Sequence, residues 1–226
     1  MNTMASVLVT GACGIVGAVV WETLVRKGYH VIGVDLADSL PFENTSVDFR
    51  GGLDLTSEEA VQTLSDTLKA EGRTLAGLVN IAGGFVWEEM LSGPADTWSR
   101  MFQMNVMTTL NSCRAFAPLL ENPASVINIG AAAADKAGLG MGAYAASKAG
   151  VIKLSEALNE ELRGQGVRVN VISPTIVDTP TNRADMPDAD FTDWVAPSQI
   201  AELAAFLLSD KSSAINGENV RIKGNV

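Results

Sequence analysis

The sequence predicts one α/β domain built on a doubly wound parallel β-sheet with helices on both faces. Three observations carry that expectation. Short apolar runs rich in β-branched residues alternate with longer segments of helical periodicity along the whole chain, which is the pattern of repeated strand–helix–strand units. The first unit holds a glycine-rich turn, TGACGIVG, between its strand and its helix, where a Rossmann-type fold places a dinucleotide phosphate. A chain of 226 residues is long enough for one large domain of this kind and short for two.

Ser6 to Thr10 (SVLVT) is the first strand, and the glycine turn opens a helix from Ile15 to about Lys27. Gly28 stops that helix, and His30 to Asp35 (HVIGVD) forms the second strand. Each glycine of the turn has its own duty. Gly11 makes the tight turn, Gly14 lets backbone approach a pyrophosphate, and Gly17 lets helix and strand pack closely. Unsatisfied N–H groups of the helix then face the anion, with Cys13, Ile15 and Val16 completing the loop. Cys13 is expected as a small packing residue whose thiol the helix start can acidify. Asp35, followed by Leu36, stands where a carboxylate accepts hydrogen bonds from the adenosine ribose. A carboxylate repels a 2'-phosphate, and no basic residue occurs from Leu36 to Phe49, so NAD(H) is expected in preference to NADP(H).

Val47 to Leu53 is the expected third strand, with Asp54 and Leu55 beyond it. Thr56 and Glu59 have capping-box spacing and open a helix to about Glu71, ended by Gly72. Leu75 to Ile81 is a fourth, fully buried strand. It leads into Ala82, Gly83 and Gly84, which permit close backbone approach, and then into Phe85 and Trp87, which either line a flat aromatic site or pack on the core. Pro94 to Leu120 is helical in pattern, with Asn105 as a polar residue on an apolar stripe. A buried asparagine must be hydrogen-bonded, so it is a clamp or part of a proton path.

Ser125 to Ile129 is the fifth strand, and a helix follows to about Arg163. Tyr144 and Lys148 lie four residues apart on that helix, hence on one face. An ammonium there favours the tyrosinate and brings a phenol down from about 10, giving a candidate proton donor and acceptor. Val167 to Ile172 is the sixth strand, ending at Ser173–Pro174, and Thr175 to Ala196 lacks periodicity and reads as a lid or substrate loop. Pro197 and Ser198 open a last helix to about Leu208, and Asn219 to Ile222 is a short final strand.

Composition narrows the partners. A formal net charge of -10 argues against nucleic acid and against an anionic membrane surface. Met1 to Trp21 carries no charge, but it has no basic start and is interrupted by glycines, which reads against a leader or a membrane span. Two cysteines, Cys13 and Cys113, offer neither metal spacing nor a disulfide framework, so a reducing cytoplasm and no metal are expected. The lone His30 reads as a solvated residue.

Taken in order, these motifs resemble the short-chain dehydrogenase/reductase family over essentially the whole chain. The resemblance implies a cofactor loop at Thr10 to Gly17, Asp54 beside the adenine with Leu55 meeting the cofactor next to it, and an NxAG segment at Asn80 to Gly83. It implies that Asn105 holds a proton-relay water, that Tyr144 and Lys148 are the catalytic pair, and that Thr179 meets the nicotinamide carboxamide. Two departures stand out. The position thirteen residues before Tyr144, where the family carries an active-site serine, is Ala131, and the usual Pro-Gly after the sixth strand is Pro174–Thr175. Both departures, the AGG at Ala82 to Gly84 and the segment PTIVDTPTNRADMPDADFTDW are similar to the quinonoid dihydropteridine reductases within the family.

The expectation is therefore NADH-dependent hydride transfer to a flat conjugated small molecule, with Phe85, Trp87, Ala131, Met141 and Trp194 around it. The alternatives are a general carbonyl reductase or alcohol dehydrogenase, and an NAD-binding protein without turnover. The family likeness also implies a homodimer or homotetramer.

Overall fold

The structure is a computed structural model that describes residues 6–41 and 46–224, so the first five residues of the uncharged opening stretch lie outside it. Seven parallel strands form one sheet: β1 (Ser6–Thr10), β2 (His30–Val34), β3 (Val47–Arg50), β4 (Leu75–Asn80), β5 (Leu120–Ile129), β6 (Val167–Pro174) and β7 (Asn219–Ile222). Their spatial order is β3-β2-β1-β4-β5-β6-β7. The chain thus runs outward from β1 in one direction and returns to build the other half from β4, which opens a crevice at the carboxyl ends of β1 and β4.

Side-chain alternation along the strands divides the core in two. Leu8, Ile32, Leu78, Val126 and Val169 face α2 (Glu58–Ala70), α4 (Thr108–Phe116) and α5 (Gly142–Leu162), where Val61, Leu68 and Phe116 cover them. Val7, Val9, Val31, Val79 and Ile127 face α1 (Ile15–Arg26) and α7 (Pro197–Leu208), which supply Trp21, Leu24, Ile200 and Ala204. Fully burying an aromatic or large aliphatic side chain of this kind is worth about 1.5–3 kcal/mol.

Several boundaries differ from the sequence reading for local reasons. β3 ends at Arg50, whose guanidinium turns back to Asp48 (2.7 Å) and Glu71 (2.9 Å). The cap of α2 is Ser57, whose Oγ accepts from the Ala60 N–H (3.2 Å), while the Thr56 hydroxyl donates to Asp54 (2.7 Å). β6 runs on to Pro174 because β7 pairs with it there. The helical stretch before β5 is α3 (Asp96–Phe102), a π turn (Gln103–Met107) and α4. The region 175–196 is ordered around α6 (Pro180–Asp185) and a 3₁₀ turn (Phe191–Asp193), closed by a bridge between Val177 and Val195. His30 is half-buried beside the Ser6 hydroxyl (3.4 Å) rather than solvated. No helix among the described residues is long and apolar enough to cross a membrane.

Candidate functional site

The crevice is a cavity of about 930 Å³, within the range of small-molecule and cofactor sites. Its floor is the loop from Gly11 to Gly17, including Cys13, Ile15 and Val16. A Cβ on Gly17 would stand 1.9 Å from the Gly11 carbonyl oxygen, so only glycine lets the first turn of α1 close on β1. Gly14 caps α1 without any side-chain hydrogen bond, and the first turn of the helix carries no acidic residue. The helix N–H groups are left for an anion, which is what a pyrophosphate needs.

On the β2–β3 side the wall is Asp35, Leu36, Asp54, Leu55 and Thr56. Asp35 shapes the loop: one carboxylate oxygen accepts from the Cys13 N–H (2.9 Å) and the other from the Ala37 N–H (3.1 Å). Asp54 accepts both the N–H (2.8 Å) and the hydroxyl of Thr56, which hold its carboxyl below the usual range. Cys13 departs from expectation, since burial, helped by the charge of Asp35, pushes its thiol up rather than down.

Ala82, Gly83 and Gly84 line the middle, tied to the end of β1 through Thr10, whose hydroxyl accepts from the Ile81 and Ala82 N–H groups (3.0 and 3.1 Å). Asn105, fully buried on the π turn, clamps this segment. Its Oδ1 accepts from the Gly84 N–H (2.9 Å), and its Nδ2 donates to the Gly84 carbonyl (3.0 Å) and to Ser147 Oγ (2.9 Å). Ser147 in turn donates to the Tyr144 carbonyl (2.7 Å). The clamp therefore joins the glycine segment to the turn of α5 that carries the phenol.

Tyr144, Lys148, Phe85 and Thr179 line the β5–β6 side. Lys148 is buried and donates to the Ile129 carbonyl (2.8 Å). Phe85 stands edge-on to the Tyr144 ring at 5.0 Å. The expected acidification of the phenol is not what the protein alone provides. Burial pushes Tyr144 up to about 12, and the same loss of water brings Lys148 down to about 8. Desolvation outweighs the mutual attraction that the sequence reading relied on.

Other expected residues do not line the cavity. Trp194 is not in the wall: it is 7% exposed and packs against Phe191 (4.7 Å). Trp87 lies over Gly140, and neither it nor Met141 is among the lining residues. Ala131 is buried and is not among the lining residues, nor are Pro174 and Thr175, whose backbones pair with Ile222. Arg100, Gln103, Met104, Thr108 and Thr181 line the cavity as well, and no sequence motif singles them out. Four of these share one helix face at spacings of three and four, so the helical stripe around Asn105 could have revealed them.

Fold and site together define a dinucleotide-dependent enzyme of the open α/β class. The profile described as enoyl-(acyl carrier protein) reductase matches residues 11–224. A 3-oxoacyl-[acyl-carrier-protein] reductase, FabG, of Salmonella typhimurium is 29% identical, with 97% of this chain and 96% of the relative covered. A D-threitol dehydrogenase of Mycolicibacterium smegmatis is 32% identical, covering 96% of this chain and 90% of the relative. Among solved structures, an NAD+-bound xylitol dehydrogenase superposes with a TM-score of 0.87 at 25% identity, covering 98% of both chains. The ligand-free aldohexose dehydrogenase of Thermoplasma acidophilum gives 0.87 at 24% identity, over 97% of this chain and 92% of that one. The chain belongs to the short-chain dehydrogenase/reductase family. It is an NAD(P)-dependent oxidoreductase.

Proposed function

We propose that this single-domain protein uses NADH to reduce a flat, conjugated small molecule, with a quinonoid dihydropteridine as the first candidate. The observation that carries the reading is the meeting, in one cavity, of an uncapped helix N-terminus, the Asp35 carboxylate and the Tyr144–Lys148 pair. Bound there, NADH supplies a hydride and leaves as NAD+. Asp35 and Leu36 hold the adenosine ribose, and the N–H groups of α1 take the pyrophosphate. The cation nearest in sequence to that wall, Arg50, is committed to Asp48 and Glu71, so nothing there favours a 2'-phosphate. Lys148 holds the nicotinamide ribose, and Thr179 meets the carboxamide.

Tyr144 donates a proton to the acceptor heteroatom as the hydride arrives. A phenol raised to about 12 keeps that proton at neutral pH, which suits a donor in the reducing direction. Phe85, edge-on to the phenol, offers a flat ring a stacking wall. With alanine at position 131, an acceptor that is already electron-poor is favoured over a plain ketone, because losing one oxyanion donor costs about 3 kcal/mol.

The names of the relatives favour a second reading, a reductase of simple carbonyls or a dehydrogenase of polyols. One experiment addresses both: steady-state reduction of quinonoid dihydropterin and of a ketone panel with NADH, by wild type and Tyr144→Phe. The expected outcome is turnover of the pterin, slowed about 10²–10⁴-fold in the variant. Unchanged activity in Tyr144→Phe removes the phenol from the mechanism, and turnover of ketones alone gives the protein to the second reading.

A further inference from the structure

The hydroxyls around the cavity are not equivalent. Thr56 donates to Asp54 and Thr108 to the Met104 carbonyl (2.8 Å). Thr179 accepts the Asn182 N–H (3.2 Å) as the cap of α6, and the proton it keeps is the one assigned above to the carboxamide. Outside the lining, Ser147 is spent on the Tyr144 carbonyl and Ser173 on Asn219 Oδ1 (2.6 Å). Among the described lining residues, Thr181 alone carries an aliphatic hydroxyl with no hydrogen bond to the protein.

The turn that presents Thr181 is braced. Asp178 and Arg183 form a two-pronged ion pair (Nε to Oδ1 2.6 Å, Nη2 to Oδ2 2.8 Å) across it. The Arg183 guanidinium lies over the Phe191 ring at 4.7 Å, and that ring packs against buried Trp194. Asn182 Nδ2 donates to the Val177 carbonyl (2.8 Å) from the same turn. A planar two-pronged pair stacked on an aromatic ring fixes orientation as well as position. Thr181 is thus held in place before any ligand arrives, the condition under which a hydrogen-bond donor helps a reaction most.

Residue 131 supplies no hydroxyl, and no serine or threonine occurs from Val126 to Ala146. We propose that Thr181, which lines the same cavity as Tyr144, donates the second hydrogen bond to the acceptor's reducible C=O or C=N heteroatom. This rests on the hydride-transfer reading above. It makes α6, rather than the turn after β5, the source of charge stabilisation, and it gives the Asp178–Arg183–Phe191–Trp194 brace a purpose.

The test uses Thr181→Val, which keeps the shape and removes the hydroxyl, and Thr181→Ser, which restores it. Both are assayed beside wild type and Tyr144→Phe with quinonoid 6,7-dimethyldihydropterin, phenanthrenequinone and cyclohexanone, using the acceptor that wild type reduces fastest. NADH affinity is read separately from nicotinamide fluorescence. Expected is a fall in kcat of about 10²–10³-fold for Thr181→Val, with NADH affinity held within about twofold and Thr181→Ser within about fivefold of wild type. An unchanged kcat overturns the proposal, and so does a loss of NADH affinity as large as the loss of turnover, which would make Thr181 a cofactor contact. If Tyr144→Phe is silenced while Thr181→Val is not, only this proposal falls. If wild type reduces none of the three acceptors, the hydride-transfer reading falls with it.

Discussion

Lys148 is buried with its ammonium on the Ile129 carbonyl, and desolvation brings it down from 10.5 to about 8. The unfolded chain therefore holds a proton that the folded chain gives up between those two values. Stability tied to this residue is lowest below about pH 8, where the folded state must bury the charge, and rises through the window up to about 10.5. Lys148→Met carries no such charge. Melting temperatures of the two proteins, measured side by side from pH 7 to 10.5, are expected to show wild type gaining on the variant as pH rises. A constant difference would mean that the ammonium is not penalised by burial. The same residue shows where sequence reasoning stops. The spacing of Tyr144 and Lys148 puts them on one helix face, but the sign of each pKa shift depends on how much water the packed loops exclude, and spacing carries no record of that.

At the scale of elements, most strands and helices were legible because their apolar periodicity is strong, and the glycine turn with its acid at the end of β2 was legible as a unit. Three features were not. The π turn at Gln103–Met107 adds one residue to a helical turn without altering composition, so periodicity reads one unbroken helix. Thr56 and Ser57 are adjacent hydroxyls, and spacing alone does not say that Ser57 caps α2 while Thr56 turns to Asp54. Trp194 reads as an aromatic for a ligand, yet it packs against Phe191, the ring that Arg183 covers in the brace of α6. The π turn, a feature frequent at functional sites, sets the position of a buried side chain. It aims Asn105 at both backbone groups of Gly84 and at Ser147. Asn105→Ala removes three hydrogen bonds at a buried position. At about 1 kcal/mol each, a stability loss of about 2–4 kcal/mol is expected, read as a lower urea midpoint with an unchanged slope.

At the scale of the whole molecule, the cavity is roofed and floored by segments from both halves of the sheet: the glycine loop and Asp35 from the β1–β3 half, Tyr144 and Thr179 from the β5–β6 half. A ligand that spans it binds only when both halves are folded, so binding free energy adds to the stability of the whole chain. NADH at a hundred times its dissociation constant is expected to add about 2.7 kcal/mol. For a chain of this length that is about 5–10 °C in melting temperature. NADPH at the same concentration brings a 2'-phosphate to a wall made by Asp35 and Asp54, with Arg50 already paired and an overall charge of -10. Its shift is therefore expected to be clearly smaller. Asp35→Asn removes the repelling charge and keeps one acceptor oxygen, giving up one of the two bonds to the Cys13 and Ala37 N–H groups, so it should narrow the gap between the two cofactors, lowering the NADH shift while the NADPH shift falls less or rises. Thermal scans of both proteins with each cofactor check this directly. Equal shifts in wild type would take cofactor choice away from Asp35 altogether.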